Sequence, residues 1–181
     1  MKKYELTDDT ITVGGRILHR IKALKSFSDV EEGDLGGYVE KEDNLDHSGE
    51  AWVSGNAWVY GNAWVYGDAR VYGDARVYGD ARVYGDARVY RDARVSGNAR
   101  VSGDARVSGE NDYAAAKGFG REYRTTTFFR LQDGGIGVRC GCFCGTLEEF
   151  REKVKETHKE SKMGKEYLML ADLMEYKFKN A

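Results

Sequence analysis

Residues 51–109 read AWVSGNAWVYGNAWVYGDARVYGDARVYGDARVYGDARVYRDARVSGNARVSGDARVSG. Valine recurs there every six residues in units of V-[YS]-G-[ND]-A-[RW], with one departure where Arg91 replaces a glycine. Valine and alanine alternate with larger residues, as in a strand with one buried face. Glycine followed by Asp or Asn supplies a corner, because glycine adopts positive φ without steric cost. A fixed period of short strands and corners predicts a parallel β-helix.

The unit resembles the hexapeptide repeat of left-handed β-helix proteins, in which an aliphatic residue and a small residue four places on point into a triangular prism. The resemblance implies a left-handed helix with three hexads per coil, so that residues 18 apart stack about 4.8 Å from each other. The predicted inner ladders are Val53, Val71, Val89 and Val107; Val59, Val77 and Val95; and Val65, Val83 and Val101. Val39 and Leu45 extend the period upstream, with two extra residues near His47, which gives about four coils.

The segments on either side of the repeat predict caps for its open ends. We interpret residues 1–38 as an N-terminal β cap with a hairpin at Gly14-Gly15, 39–110 as the β-helix, 111–120 as a linker and 121–181 as a ββαα domain. In that domain we expect strands over 122–131 and 136–144, a helix started by the capping box of Thr146 and Glu149, and a second helix from about Lys165. The predicted fold class is mainly β.

Several segments outside the repeat resemble a family of bacteriophage and prophage hexapeptide-repeat proteins. The matching stretches are YELTDDT (4–10), GRILHRIKAL (15–24), GDLGGYVEKEDNL (33–45) and GCFCGTLEEFREKVKETH (141–158). The resemblance implies an origin in an infected or lysogenic bacterium, and it implies no catalytic residues.

Composition bounds the class of partner and the compartment. The formal charge of −2 gives no global attraction to nucleic acid or to an anionic membrane. The N-terminus has no apolar run of signal-peptide length, and no stretch is apolar enough to span a membrane. Three clustered cysteines suit a reducing compartment. We therefore expect a cytoplasmic protein without a membrane partner.

Two kinds of chemistry have candidate residues. Many left-handed hexapeptide β-helices are trimeric acyltransferases with a histidine base, and His47 is the one histidine near the coils. Cys140, Cys142 and Cys144, with His158, form a candidate metal set, although CxCxC would place the thiols on one strand face rather than on a turn. We expect the cysteines to be small packed residues, and we expect no cofactor, metal or catalytic residue.

The outward residues of the repeat are the candidate binding residues, since arginines can hold phosphates while aromatic rings stack on bases. They are Trp58, Trp64, Arg70, Tyr72, Arg76, Tyr78, Arg82, Tyr84 and Arg88. The competing interpretation is that neighbouring aspartates neutralise the arginines and that the tyrosines support a β surface. Arginines and acidic residues nearly balance over 51–110, which excludes duplex nucleic acid as a favoured partner.

The sequence thus favours a non-enzymatic binding or scaffold protein. Its exposed aromatic rings predict a homo-oligomer, by resemblance a trimer, that associates through the β-helix faces. The hypothesis for its task is the sequestration of a small anionic, nucleotide-like signal of host defence in clefts between protomers. The alternatives are a protein–protein inhibitor of a host defence factor and an acyltransferase.

Overall fold

The computed structural model describes residues 2–179, which form short strands in the middle of the chain and longer elements at both ends. The N-terminal strands are β1 (Tyr4–Val13), β2 (Arg16–Ala23) and β3 (Leu35–Val39). The repeat strands are β4 (Trp52–Val53), β5 (Trp58–Val59), β6 (Trp64–Val65), β7 (Arg70–Val71), β8 (Arg76–Val77), β9 (Arg82–Val83), β10 (Arg88–Val89), β11 (Arg94–Val95), β12 (Arg100–Val101) and β13 (Arg106–Val107). The C-terminal elements are β14 (Tyr113–Phe119), β15 (Arg124–Arg130), β16 (Ile136–Cys140), β17 (Phe143–Thr146), α1 (Leu147–His158) and α2 (Lys162–Lys179).

The repeat strands form a β-solenoid of about four coils, as the sequence predicts. Each strand pairs in parallel with the strand 18 residues further on, so that three faces arise. Face 1 contains β4, β7, β10 and β13, face 2 contains β5, β8 and β11, and face 3 contains β6, β9 and β12. Every repeat valine and alanine is buried. The three predicted ladders are confirmed, whereas the left-handed sense of the coils stays a prediction.

The first coil contains the two extra residues that the sequence places near His47. Val39 pairs with Val59 twenty residues on, while Val53 pairs with Val71 eighteen residues on. The insertion therefore lies between Val39 and Val53, and the solenoid resumes its regular period after it.

The N-terminal strands are built onto one solenoid face. The sheet of face 2 runs in the order β1-β2-β3-β5-β8-β11, with β1, β2 and β3 antiparallel and β3 parallel to β5. Two side chains complete the hydrogen bonding of the first coil. The Asn44 amide donates to the carbonyls of Gly61 and Ala63, and the buried Lys3 ammonium donates to the carbonyl of Ala51 at 2.7 Å. A sheet edge that would attract other strands is thereby closed.

The C-terminal region departs from the prediction at two points. Residues 111–120 are not a linker, because β14 pairs with β15 as the first strand of a four-stranded antiparallel sheet. The predicted strand over 136–144 is two strands, β16 and β17, which reverse at Gly141-Cys142. Gly141 adopts φ +58°, which permits the tight turn. The capping box of Thr146 and Glu149 is confirmed, and the second helix begins at Lys162.

The C-terminal sheet lies between the solenoid and the two helices. Phe129 on β15 belongs to the solenoid core, whereas its neighbour Phe128 packs with the helices around Phe150. The Thr127 hydroxyl accepts a hydrogen bond from the backbone N–H of Arg100 in the last coil. This sheet thus covers the second open end of the solenoid. No helix within residues 2–179 is long and apolar enough to cross a membrane.

Candidate ligand-binding site

The nine predicted binding residues lie on three different faces and do not converge on one site. Arg70, Tyr72 and Arg88 belong to face 1; Trp58, Arg76 and Tyr78 belong to face 2; and Trp64, Arg82 and Tyr84 belong to face 3. Many of these side chains contact one another along the ladders. The Arg76 guanidinium lies 4.3 Å from the centre of the Trp58 ring, and the rings of Tyr66 and Tyr84 stack at 4.8 Å.

Face 1 carries an open groove of about 850 Å³, bordered by the loop at residues 28–35 on one side of the coils and by Gln132 on the other. We call it the acidic groove. Its charged lining residues are Asp29, Asp34, Glu50, Asp68, Asp86, Asp104, Arg70, Arg88 and Arg106. Six carboxylates face three guanidinium groups, so the groove repels an anion. The arginines of face 1 are therefore poor candidates for binding phosphate.

A second concavity has the opposite charge. It measures about 410 Å³, opens where face 3 meets the C-terminal sheet, and includes Arg100, Lys117, Tyr123, Arg124 and Cys142. No acidic residue lines it. None of its three cations forms an ion pair with any residue of the described range 2–179. We call this concavity the cationic basin.

Local backbone geometry brings these cations together. Arg100 comes from β12 on face 3, whereas Lys117 lies where the register between β14 and β15 shifts, beside Gly118 at φ +100°. Bulges of this kind redirect side chains. The Arg124 guanidinium lies against Gly141, where a Cβ atom would come within 2.8 Å of its Nη1. Glycine at that turn therefore makes room for the arginine.

Positive charge continues from the basin along face 3. The Arg139 guanidinium lies 5.7 Å from the centre of the Tyr84 ring, and its buried Nε has no hydrogen-bond partner among the described residues. Burial raises the pKa of Tyr66, while the nearby charges of Arg82, Arg100 and Arg139 act in the opposite direction. Arg139 and the cations of the basin thus share the C-terminal end of this face, where an anion would be stabilised, whereas Arg82 lies nearer the carboxylates of Glu42, Asp43 and Asp46.

The sequence analysis missed Arg100, Lys117, Tyr123 and Arg124, although one signal for this side of the solenoid was present. The corner that precedes face 3 carries Asn62, Asp80 and Asn98, whereas the corner that precedes face 1 carries Glu50, Asp68, Asp86 and Asp104, which line the groove on face 1. The difference in charge between the two faces follows from asparagine replacing aspartate in the repeat. The contribution of the C-terminal sheet required the tertiary structure, since β14 lies in the predicted linker.

His47 is poorly arranged to act as a base. Its Nδ1 accepts a hydrogen bond from the backbone N–H of Lys3 at 3.1 Å, and its ring stacks on Tyr4 at 4.4 Å. The Nε2 atom is buried, and burial lowers the pKa of His47. The lone pair that would accept a substrate proton is therefore occupied, which weighs against the acyltransferase alternative.

The three cysteines do not share a strand face, contrary to the expectation. Cys140 is half-buried on β16, with its Sγ accepting a hydrogen bond from the Thr126 hydroxyl, while Cys142 in the turn and Cys144 on β17 are exposed. The expectation that they are packed core residues is wrong for these last two. Within residues 2–179 no group of three or more potential ligands is placed to hold a metal ion.

Four segments of the repeat region, residues 51–67, 69–83, 81–97 and 93–109, match the YdcK β-solenoid repeat. The match and the fold together define the class of the chain, which is a β-solenoid repeat protein. None of the curated proteins compared with the chain matches it.

Proposed function

We propose that this β-solenoid protein binds a small anionic, nucleotide-like ligand in the cationic basin. The observation that carries the proposal is the meeting of Arg100, Lys117 and Arg124 in one concavity without a carboxylate. A charge-assisted hydrogen bond contributes about 1.5–3 kcal/mol, so three of them together supply about 4.5–9 kcal/mol, which corresponds to dissociation constants from about the millimolar to about the micromolar range for a phosphate.

The aromatic ring at the rim favours a nucleotide over a simple anion. Tyr123 is 68% exposed, and its backbone adopts φ +49°, an uncommon conformation for a tyrosine. An exposed ring beside cations offers a stacking surface for a base whose phosphates contact the arginines. The volume of about 410 Å³ falls within the range of small-molecule sites.

We propose stoichiometric sequestration rather than turnover as the task. No histidine or carboxylate lines the basin, so no general base is placed beside a bound ligand. The resemblance of the end segments to phage proteins supports a signal of host defence as the ligand. To remove such a signal by sequestration, the protein must bind it tightly and be present in at least the amount of the signal.

We also propose that copies of the chain associate through the solenoid faces, with a trimer as the expected assembly. Stacked tyrosine pairs and Trp64, which is 37% exposed, present aromatic surface on the outside of the prism. Aromatic side chains are enriched in protein interfaces, which supports this part of the proposal.

Binding can be measured by the fluorescence of N-methylanthraniloyl-ATP titrated with the purified protein. We expect Arg100→Gln and Arg124→Gln each to weaken binding by about 10-fold or more, because each removes a charged donor. Arg94→Gln on face 2 is the matched control and should bind as the parent does. Equal affinity of the parent and an Arg100→Gln/Arg124→Gln double variant would exclude the basin as the site. Native mass spectrometry of protein purified from bacterial cells will show whether a nucleotide-sized mass is retained.

A further inference from the structure

Within residues 2–179, the acidic groove has carboxylates that form no ion pair. Arg70 is paired with Asp29 at 2.6 Å, which leaves Asp86 and Asp104 without an ion pair in residues 2–179. Both lie on one column beside face 1, stacked one coil apart. The groove is therefore an open, unpartnered sheet face with an excess of negative charge.

The arginines of the groove do not neutralise this negative charge along its whole length. The Arg106 guanidinium donates to the carbonyls of Asp86, Asp104 and Ala105 and to Oε1 of Gln132 at 2.6 Å. Arg106 is thus held against the backbone at the C-terminal end of the groove. Arg88, which is exposed, is the cation left over the middle of the face. The surface favours a partner that supplies several cations.

The same chain carries a segment of that chemistry. The end of β14, the turn after it and the first residue of β15 form residues 117–124, KGFGREYR, which we call the 117–124 turn. Its Lys117, Arg121 and Arg124 are exposed and form no ion pair in residues 2–179, and Glu122 is its one acidic residue. Tyr123 projects from it as an exposed aromatic side chain. Tyrosine and arginine are the residue types most often found at energetic centres of interfaces.

We propose that the 117–124 turn of one copy docks in the acidic groove of a second copy. The inference rests on the proposed self-association and replaces one of the two solenoid faces by this turn. Lys117, Tyr123 and Arg124 also belong to the basin, so the docked turn and a bound nucleotide compete for these side chains. No residue of the turn lines the groove of its own chain, and the turn borders face 3 whereas the groove lies on face 1. Because the two surfaces differ, the contact is head-to-tail, and such a contact closes when the rotation between copies completes a ring, as in a trimer.

Charge reversal on each surface tests the contact. We expect the groove variant Asp86→Lys/Asp104→Lys and the turn variant Lys117→Glu/Arg121→Glu to sediment as monomers while the parent sediments as an oligomer. A protein with all four changes should associate again, because both signs are exchanged. Asp74→Lys/Asp92→Lys, on the equivalent column beside face 2, is the matched control and should associate as the parent does. Circular dichroism melts verify that each variant is folded.

Several outcomes would overturn the inference. One is a parent that stays monomeric up to about 100 µM, a concentration at which a contact with a micromolar dissociation constant is populated. Another is a folded groove variant that remains oligomeric. Failure of the fourfold variant to associate would overturn it as well. The groove variant keeps the basin intact, so its binding of N-methylanthraniloyl-ATP is measured in the same experiments. A groove variant that stays oligomeric and still binds the nucleotide contradicts the docking contact alone. A parent that does not bind the nucleotide contradicts the basin alone.

Discussion

The Lys3 side chain supplies a hydrogen bond that no earlier strand provides at the start of face 1. Between coils, alternate backbone N–H groups donate to carbonyls of the next coil, as those of Trp52 and Ser54 do to Ala69 and Val71. β4 is the first strand of face 1, so no earlier strand of that face donates to the carbonyl of Ala51, and the Lys3 ammonium does so instead. Burial lowers the pKa of Lys3 from 10.5 to about 8, with the nearby cations Lys25 and Arg70 acting in the same direction.

This shift predicts a pH dependence of stability. The unfolded chain keeps the Lys3 proton up to pH 10.5, whereas the folded chain loses it near pH 8. The folded state is therefore penalised below pH 8, and the penalty disappears as the pH rises from 8 towards 10.5. Relative to Lys3→Met, the parent should gain up to about 3 kcal/mol of unfolding free energy over this range.

Urea unfolding at pH 7, 8, 9 and 10 measures the effect, with Lys165→Met on the exposed side of α2 as the control. The control should show the slope of the parent. A difference between the parent and Lys3→Met that stays constant with pH would show that Lys3 titrates normally in the fold.

Gly85 and Gly103 allow the cost of a left-handed backbone to be measured apart from the cost of crowding between neighbouring coils. Gly85 and Gly103 have nearly equal φ of +66° and +65°, but a Cβ atom on Gly85 would lie 3.0 Å from the Gly103 nitrogen, while one on Gly103 would contact nothing within 4 Å. Both alanine variants suffer the left-handed backbone cost of about 1–2 kcal/mol. Gly85→Ala should lose about 1 kcal/mol more, because the next coil must move. Thermal unfolding will compare the two, and equal losses would mean that the coils adjust freely.

Among the elements, β15 holds two cores together. Its adjacent Phe128 and Phe129 point to opposite sides of the sheet, one towards α1 and α2 and the other into the solenoid. Truncation of a buried phenylalanine costs about 3–5 kcal/mol. We expect Phe129→Ala to accelerate hydrogen exchange in β12 and β13, and Phe128→Ala to accelerate it in α1 and α2.

Hydrogen exchange followed by mass spectrometry resolves these regions. If both variants loosened the same peptides, the solenoid end and the helices would form one cooperative unit. The contrast matters for the basin, since Arg100 belongs to the solenoid while Lys117 and Arg124 belong to the sheet. A basin built across two elements depends on the packing of β15 between them.

At the scale of the whole molecule, the separation of charge predicts a response to salt. The basin and the acidic groove lie on different sides of a chain whose net charge is only −2. Raising NaCl from about 0.05 M to about 0.5 M shortens the screening length from more than 10 Å to about 4 Å. We expect nucleotide binding and self-association each to weaken by about 10-fold or more, while the unfolding temperature changes little because the solenoid core is apolar. Titration and sedimentation at both salt concentrations measure this, and association that strengthens with salt would point to an apolar interface instead.

The sequence by itself determined the solenoid. The six-residue valine period sets the register of every coil, since Val53 pairs with Val71 and Val71 with Val89, three repeats and thus one coil apart. It also predicted the two-residue insertion near His47, the Gly14-Gly15 hairpin and the capping box at Thr146. These features are local or periodic, so the residue types within one unit suffice to specify them.

Only the tertiary structure decided where charge of one sign accumulates. The segment predicted as a linker is β14, which pairs with β15 in a hairpin that the composition of residues 111–120 does not reveal. Through that pairing Lys117 and Arg124 come to lie beside Arg100, while the nine residues predicted from the repeat are divided among three faces. A periodic sequence defines the faces of a prism, but the elements packed against its end decide where a concavity forms, because their side chains come from outside the repeat.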